Sequence, residues 1–318
     1  MTDINLRLIT ADQVRANLKL EDLIEPMRNA FKAFSRGDSS DAIGFLRPNG
    51  GEVHIKSGFM AGSKVFAVKV SAGFQENIAR GLPVWDGAVM AFDASTGAPV
   101  AIVQDGGLLT DWRTAVAGAV ASHALARGDA KTLGVIGTGI QGLWQPLAHK
   151  TVIDFDRLLI WGRNETKAQQ LRAQLEPQLP GVKVEVFSEL EQLVRESEII
   201  VTATGSLEPL IGNEWLQTGT HITAVGADDD RKRELEFAVL ERAEVIVIDS
   251  LLVNQKYGDV AQALKSGVLE NSRLIELGTL LGNPNLGRTS SEQITVAKLV
   301  GLGVQDLAAV EVVLERCP

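Results

Sequence analysis

Between residues 132 and 249 the chain carries short apolar runs that do not alternate with polar residues: TLGVI (132–136), RLLIW (157–161), KVEVF (183–187), EIIVTAT (198–204), HITAVG (221–226) and EVIVID (244–249). Helical stretches separate them. A strand that is apolar on both faces has to be covered on both, and strands joined by helices run parallel, so this half of the chain is expected to be a doubly wound α/β sheet. The first run leads into GVIGTGIQG, which sets Gly137, Gly139 and Gly142 in the GxGxxG spacing between a strand and the helix LWQPLAHK. In that setting the glycines allow a tight turn, close approach of a pyrophosphate to the backbone, and close packing of helix on strand, while the helix N-terminus faces the phosphates. A bound dinucleotide is the expectation, with Gly137, Gly139, Ile140 and Gln141 against it.

The end of the second strand reports on the ribose. An acid there would accept hydrogen bonds from the adenosine 2′-hydroxyl and repel a 2′-phosphate. This chain reads WGRN instead, with Gly162 in the acid's place and Arg163 and Asn164 able to clamp a phosphate. NADP(H) is therefore favoured over NAD(H). If Arg163 only opens the next helix into solvent, both cofactors fit.

The remainder follows other periodicities. The first 37 residues read as helix, with Thr10 and Gln13 as a capping box and an amphipathic run in LEDLIEPMRNAFKAF. From residue 42 to 104, short alternating segments separated by Gly, Pro, Ser and Asn read as an antiparallel meander, with DASTG (93–97) as a hairpin turn. LLTDWRTAVAGAVASHALA (108–126) reads as a helix rich in small residues. SELEQLVRES is a helix with a Ser188/Glu191 capping box, and the whole segment SSEQITVAKLVGLGVQDLAAVEVVLERC reads as helical. The predicted organisation is a substrate-binding and dimerisation domain of α+β type with an antiparallel-rich sheet, residues 1–114 joined by a C-terminal helix 305–318, and a Rossmann-type NAD(P)-binding domain, residues 115–304.

Composition removes other classes. At 318 residues and 45% hydrophobic side chains, the chain can bury two cores. A formal net charge of -9 without a Lys/Arg block speaks against a nucleic-acid backbone as partner. The opening MTDINLRLITADQ lacks a basic-then-apolar leader, and no window reaches the roughly 18 apolar residues of a membrane span, so a cytoplasmic protein off the membrane is expected. Cys317 is the single cysteine, and His54, His123, His149 and His221 lack metal-ligand spacing, so neither a disulfide nor a metal site is expected.

A nicotinamide cofactor moves hydride, so its site also needs a group that holds the substrate and one that moves a proton. In FAVKVSAG, strand alternation sends Phe66, Val68 and Val70 to one face, taken as the core, and Lys69 with Ala67 and Ser71 to the other. Read alone, Lys69 is either a substrate cation or an ordinary exposed strand lysine. Arg47 follows an apolar strand and precedes Pro48. Arg113 falls in the first turn of a helix that Thr110 can cap; there it opposes the helix dipole and calls for an anionic partner, which a substrate carboxylate would supply. HITAVGADDDRKREL (221–235) ends the fifth run in three acids. Asp228, nearest the strand end, is expected to face the substrate beside the nicotinamide, and Asp229 and Asp230 to face water.

The succession Arg47, KVSAGF, GLPVWDGAVMAFDASTGAPVAIVQDGGLLTDWRTA, GVIGTGIQG, VGADDDRKREL and GRTSSEQITVAKLVGLGVQDL resembles the ornithine cyclodeaminase/mu-crystallin family over nearly the whole chain. The resemblance implies a homodimer whose N-terminal sheet forms both the substrate site and the subunit interface, with NAD(P) on the Rossmann domain. It implies that Asp228 donates and accepts the proton. Arg47, Lys69 and Arg113 would hold the substrate carboxylate, with Lys69 also near the reacting nitrogen. Thr114, Thr202, Val225, Gly226, Ala227 and Lys232 would line the cofactor. The familiar ornithine enzymes of the family resemble each other in an acid at the end of the second strand and a glutamate where this chain has Lys56. Lys56, with His54 nearby, reverses that charge preference and suits a substrate with a second carboxylate, such as the imine of oxaloacetate. The expected activity is NAD(P)H-dependent reduction of a small 2-imino acid to the L-amino acid. The alternative enzyme is an amino-acid cyclodeaminase acting on ornithine or lysine with retained NAD⁺, and a non-catalytic cofactor-binding module is a further reading.

Overall fold

The computed structural model describes residues 6–317. By contact density the chain divides into two units: one runs to Arg113 and resumes at Leu302, and the other is Thr114–Gly301.

The first unit is built on a sheet of β1 (Arg7–Thr10), β2 (Ser39–Leu46), β3 (Glu52–Met60), β4 (Val65–Gly73), β5 (Trp85–Asp93) and β6 (Pro99–Gln104), in the order β1-β6-β5-β4-β3-β2. From β2 to β6 the neighbours are antiparallel, the expected meander. Its DASTG corner is fastened by the Asp93 carboxylate, which accepts from Ser95 N at 2.9 Å and Thr96 N at 2.8 Å. The opening residues are not one helix. Arg7–Thr10 adds to β6 as a parallel strand, after which Thr10 and Gln13 form their capping box on the helix Ala11–Asn17. The amphipathic helix Ile24–Ser35 buries Met27, Ala30 and Phe31, and with the C-terminal helix Gly303–Arg316 it covers one face of the sheet.

That covered face is the opposite of the one predicted. Val65, Ala67 and Lys69 of β4 are buried, while Phe66 and Val68 are half-buried and Val70 is 43% exposed. Alternation fixes which residues share a face but not which face is covered, and a one-step difference exchanges the whole set. Here the covering helix comes closer than bulky side chains would allow. A Cβ on Gly303 would meet the Ser57 carbonyl, and one on Gly58 would meet the Gly303 backbone, so helix and β3 touch main chain to main chain.

The second unit holds β7 (Thr132–Ile136), β8 (Arg157–Trp161), β9 (Lys183–Val186), β10 (Ile199–Thr202), β11 (His221–Ala224), β12 (Val245–Ile248), β13 (Leu274–Glu276) and β14 (Thr295–Lys298). All pairs are parallel, in the order β13-β12-β14-β11-β10-β7-β8-β9. Successive residues of one strand enter different cores: Leu158 and Ile160 pack on one side of the sheet and Leu159 on the other, which is why these runs do not alternate. Two strands were not foreseen. β13 has three residues, too few for a period to show, and β14 lies in the segment read as helical. TVAK becomes a strand because it fills the gap between β11 and β12, burying Lys298 completely against Asp259 (3.5 Å) and the Ala224 carbonyl (3.3 Å). Ser188 does not cap its helix: the helix Leu190–Glu196 starts after Glu189 and has no side-chain cap.

A line of buried polar groups anchors the helix that follows the glycine motif. It runs from Arg288 Nη2 to Thr295 Oγ1 (3.0 Å), His221 Nδ1 (2.8 Å), and from His221 Nε2 to Thr223 Oγ1 (2.8 Å), Ser122 Oγ (2.8 Å), His149 Nε2 (2.8 Å), ending where His149 Nδ1 meets the Gln145 carbonyl (2.7 Å). The Gln145 carbonyl can only accept, so with neutral rings that end fixes the direction of each proton back to His221. His149 must carry Nδ1–H and His221 Nε2–H; with His221 reversed, the Ser122 and Thr223 oxygens would face each other without a proton. Burial pushes His149 down to about 4 and His221 well below its ordinary value, so both rings stay neutral. Nitrogen NMR should show two neutral imidazoles of opposite tautomer from pH 6 to 8, and a charged ring or two like tautomers would refute the chain.

Candidate active site

In the second unit the three glycines of the motif have separate tasks. Gly137 follows β7 at φ 127°, a conformation that L side chains rarely adopt, with the Ala203 carbonyl after β10 pressed against it. Gly142 lies on the Gly137 carbonyl, so helix and strand meet closely. Gly139 caps the helix Ile140–Lys150 and has open space where a Cβ would stand. An open cap, helix N–H groups and the sheet's switch point between β7 and β10 fit a dinucleotide pyrophosphate. Ile140 is 50% exposed and Gln141 is half-buried, its Oε1 accepting from Gln145 Nε2 (3.1 Å), which also donates to the Thr114 carbonyl (3.3 Å). At the end of β8, Gly162 packs on Thr138, with Arg163 exposed beside it. Asn164 is committed to capping the next helix, its Oδ1 accepting from Lys167 N at 3.0 Å, so the cation there is Arg163.

Asp228, just past β11, is partly exposed and pairs through Oδ1 with Lys232 Nζ at 2.7 Å. Asp229 does not face water. It is 3% exposed, and its Oδ1 accepts from Arg231 N and Lys232 N, both at 2.8 Å, which holds the turn that presents Asp228. Asp230 is exposed as expected.

Glu234 had no assigned role in the sequence reading and is the central group of this loop system. Fully buried, it accepts from Thr204 N (2.7 Å) and Thr204 Oγ1 (2.8 Å) through Oε1, and from Thr202 Oγ1 (2.8 Å), Gly226 N (2.9 Å) and Ala227 N (3.2 Å) through Oε2. It thereby ties the loop after β10 to the loop after β11. Thr202 is wholly buried with its hydroxyl on Glu234, while Val225 and Gly226 are half-buried and Ala227 is buried. Asp259 receives Glu234 N (2.7 Å) and Leu235 N (2.9 Å). Burial, with Asp259 nearby, pushes the Glu234 carboxyl above its usual range.

In the first unit three of the four expected cations come together. Lys56 on β3 stands directly across from Lys69 on β4, and both are buried, at 5% and 3% exposure, as is Arg113 at 5%. Between Lys69 and Arg113 lies a carboxylate that the sequence reading passed over. Asp306 Oδ1 accepts from Lys69 Nζ and from Arg113 Nε, each at 2.9 Å, and Arg113 Nη1 donates to Gln305 Oε1 at 3.3 Å. The anionic partner that Arg113 called for is thus already present in the chain. Arg113 also sits deeper than the first turn: the helix Leu108–Leu125 begins before Thr110, with Asp105 accepting from Gly107 N and Leu109 N at its head. Arg47 is exposed in the turn after β2 and does not share this buried cluster.

Burial, then repulsion by Arg113, lowers Lys69 from 10.5 to about 7, with Asp306 opposing the shift. Burial raises Asp41 to about 7 although it caps the C-terminal helix, accepting from Gly303 N (2.6 Å) and Val304 N (3.0 Å). Asp105 is raised by burial as well. His54 lies edge-on to Phe45 and Trp85, with Nε2 3.8 Å from Glu52. The signal for Asp306 was available in VQDLAAVEVV, where Asp306 and Glu311 interrupt an otherwise apolar helix; its partners were not.

Residues 6–318 match the model of the ornithine cyclodeaminase/mu-crystallin family. A Sinorhizobium fredii relative described as an uncharacterized cyclodeaminase is 33% identical over 317 residues, 98% of this chain and 96% of its own. The iminosuccinate reductase of Paracoccus denitrificans is 34% identical over 261 residues, 82% of this chain and 80% of its own, and its structure in complex with NAD⁺ matches with a TM-score of 0.88, covering 98% and 95%. The Thermococcus litoralis Delta(1)-pyrroline-2-carboxylate reductase in complex with NADH and L-proline is 26% identical, with a TM-score of 0.92 over 97% of this chain and 96% of that one. The match over nearly every residue, with a relative 33% identical along almost the full length of both chains, places this chain in the ornithine cyclodeaminase/mu-crystallin family.

Proposed function

We propose that the protein is an NAD(P)H-dependent reductase that converts a small 2-imino acid to the L-amino acid. The observation that carries this reading is that Lys56, Lys69 and Arg113 are buried together, with Lys69 and Arg113 sharing one carboxylate oxygen of Asp306, a concentration of basic groups that suits an anion such as a 2-imino carboxylate. Relatives described as reducing iminosuccinate and pyrroline-2-carboxylate, with NAD⁺ or NADH bound, support it. When bound, the nicotinamide supplies hydride to the carbon of the C=N bond. Lys69 and Arg113 hold the substrate carboxylate, and Arg47 is the third cation proposed for it. Asp228 passes a proton to the imine nitrogen, which makes the carbon electrophilic, and is reprotonated from solvent once the amine has formed; Lys232 sets the direction of the Asp228 carboxylate. Glu234 keeps the loops carrying Val225 to Asp228 in place.

Lys56 would receive a second substrate carboxylate, with His54 close to it, so iminosuccinate is the favoured substrate within this class. Lys56→Glu should lower kcat/KM for oxaloacetate plus ammonia at least tenfold while sparing pyruvate plus ammonia; equal effects on both would reject the dicarboxylate. Arg163 with Gly162 favours NADP(H), and Arg163→Ala should then raise KM for NADPH without raising that for NADH.

An absorbance assay of NADH and NADPH with glyoxylate, pyruvate and oxaloacetate, each with ammonia, and with cyclic imines tests the reading. The Sinorhizobium fredii relative supplies a second reading, cyclodeamination. It predicts ammonia from ornithine or lysine with no net change in nicotinamide absorbance.

The sheet's outer face supports a homodimer. Val68 lies across from Met90, Ile55 across from Val70, and Phe66 stacks on Phe92 at 4.9 Å, an apolar surface opposite the covered face. An archaeal alanine dehydrogenase described as a dimer is 27% identical with a TM-score of 0.90. Such a face needs a partner. Val70→Asp should yield monomers in sedimentation; an unchanged dimer would move the interface elsewhere. Among the described residues, no helix is long and apolar enough to cross a membrane.

A further inference from the structure

We propose that Asp306 is a positioning residue of the cationic cluster: one of its oxygens joins the Lys69 ammonium to Arg113 Nε and so presents both cations, fixed and charged, to the carboxylate of the imino acid. This rests on reading the cluster as the seat of that carboxylate. Three observations carry it. Both contacts fall on the same oxygen, at 2.9 Å each, so Asp306 sets the spacing of the two cations rather than neutralising each in turn. The other oxygen, Oδ2, is buried and among the described residues has no hydrogen-bond partner. A carboxylate placed only for stability would be expected to use both oxygens. The helix that carries Asp306 is also seated with little freedom: Gly303 and Gly58 touch backbone to backbone, and Asp41 caps the first turn. Asp306 lies in that first turn, where the helix dipole favours a negative charge.

The geometry also constrains the guanidinium. With Nε bound to Asp306 and Nη1 to Gln305, Arg113 is held at two points, which fixes the plane of the guanidinium. The groups that act on Lys69 are Lys56 from β3, Arg113 and Asp105 from the helix Leu108–Leu125 and the turn before it, and Asp306 from the C-terminal helix, while Asp41 of β2 acts on Lys56 and Asp306. Of these, Asp306 is the acid in direct contact with the ammonium. Removing its charge leaves Lys69 beside two cations and favours the neutral amine.

Asp306→Asn tests the proposal in the full-length protein by two readouts. The first is the pH profile of kcat/KM for the imino acid, whose alkaline limb should move acidward by about one pH unit or more, the size expected on losing an opposite charge at contact distance. The KM for NADH should stay within about twofold, since the dinucleotide is held by other residues. The second is an NMR titration of the Lys69 ε-carbon without substrate, assigned with Lys69→Arg, whose midpoint should fall in the variant. A uniform loss of activity with an unmoved limb and an unmoved midpoint would show a merely structural acid and overturn the proposal. If the midpoint moves but the natural protein reduces no imino acid, the role of Asp306 stands and the reductase reading falls. Should Asp306→Asn fail to fold, Asp306→Glu keeps the charge but changes the spacing. It should raise KM for the imino acid at least tenfold with the limb in place; an unchanged KM would overturn the proposal.

Discussion

Asp228→Asn should lower kcat/KM for the imino acid by about 10³-fold, within the range that a single positioned acid or base supplies, and leave the Kd for NADH within about twofold. The amide keeps the size of the side chain but cannot exchange a proton with the substrate nitrogen. The turn should survive the change. It is held by Asp229, which binds Arg231 N and Lys232 N, and by Gly258 N on the Asp229 carbonyl at 2.8 Å, none of which involves the Asp228 side chain. Lys232 loses the opposite charge in the variant but can still donate to the amide oxygen, and it is partly exposed and can be solvated. Retention of more than a tenth of the activity would remove Asp228 from proton transfer and direct attention to Lys69, which is buried and lowered to about 7.

Glu234→Gln should have the largest effect on stability. Whichever oxygen the amide nitrogen replaces, it meets donors: Thr204 N and Oγ1 on one side, or Thr202 Oγ1, Gly226 N and Ala227 N on the other. At about 1–3 kcal/mol for each buried donor left without an acceptor, a loss of about 3 kcal/mol is expected. For a unit of this size that corresponds to roughly 10 °C in the midpoint of thermal unfolding. The same change frees the loops after β10 and β11, so the Kd for NADH should rise at least tenfold. Calorimetry and a fluorescence titration of NADH read the two effects, and a variant as stable as the natural protein would show that the loops are held by something else.

The cluster in the first unit gives a pH dependence with a definite sign. Lys69 falls from 10.5 in the unfolded chain to about 7 in the folded one, so between these values the unfolded chain binds more protons and stability attributable to this group rises with pH. Binding behaves in the opposite way. A carboxylate at the cluster favours the ammonium, so above about pH 7 binding must take up a proton, and the KM for the imino acid should rise with pH. Assays in buffers of different ionisation enthalpy would detect that uptake, and a KM flat from pH 7 to 9 would count against it.

Local pattern was enough to determine the doubly wound sheet, the dinucleotide motif and the antiparallel meander. Each rests on residues close in the chain: Gly137, Gly139 and Gly142 on the end of one strand and the start of one helix, and the strand periods on neighbours one or two positions apart. Arg113 was also legible as a cation that calls for an anion, from its place near a helix start, whereas Lys69 read equally as an exposed strand lysine and Lys56 stood out only through the family resemblance. What answered them was not legible. Asp306 is 193 residues from Arg113 and 237 from Lys69, and it arrives only because the C-terminal helix closes on the first sheet. That same helix decided which face of β4 is core, against the prediction that Phe66, Val68 and Val70 would be inside. TVAK likewise became a strand only because β11 and β12 leave a place between them, and Glu234 became a clamp only because the ends of β10 and β11 lie side by side. Periodicity reports which residues move together; burial and charge pairing depend on which distant surface arrives to cover them, and that is set when the whole chain packs.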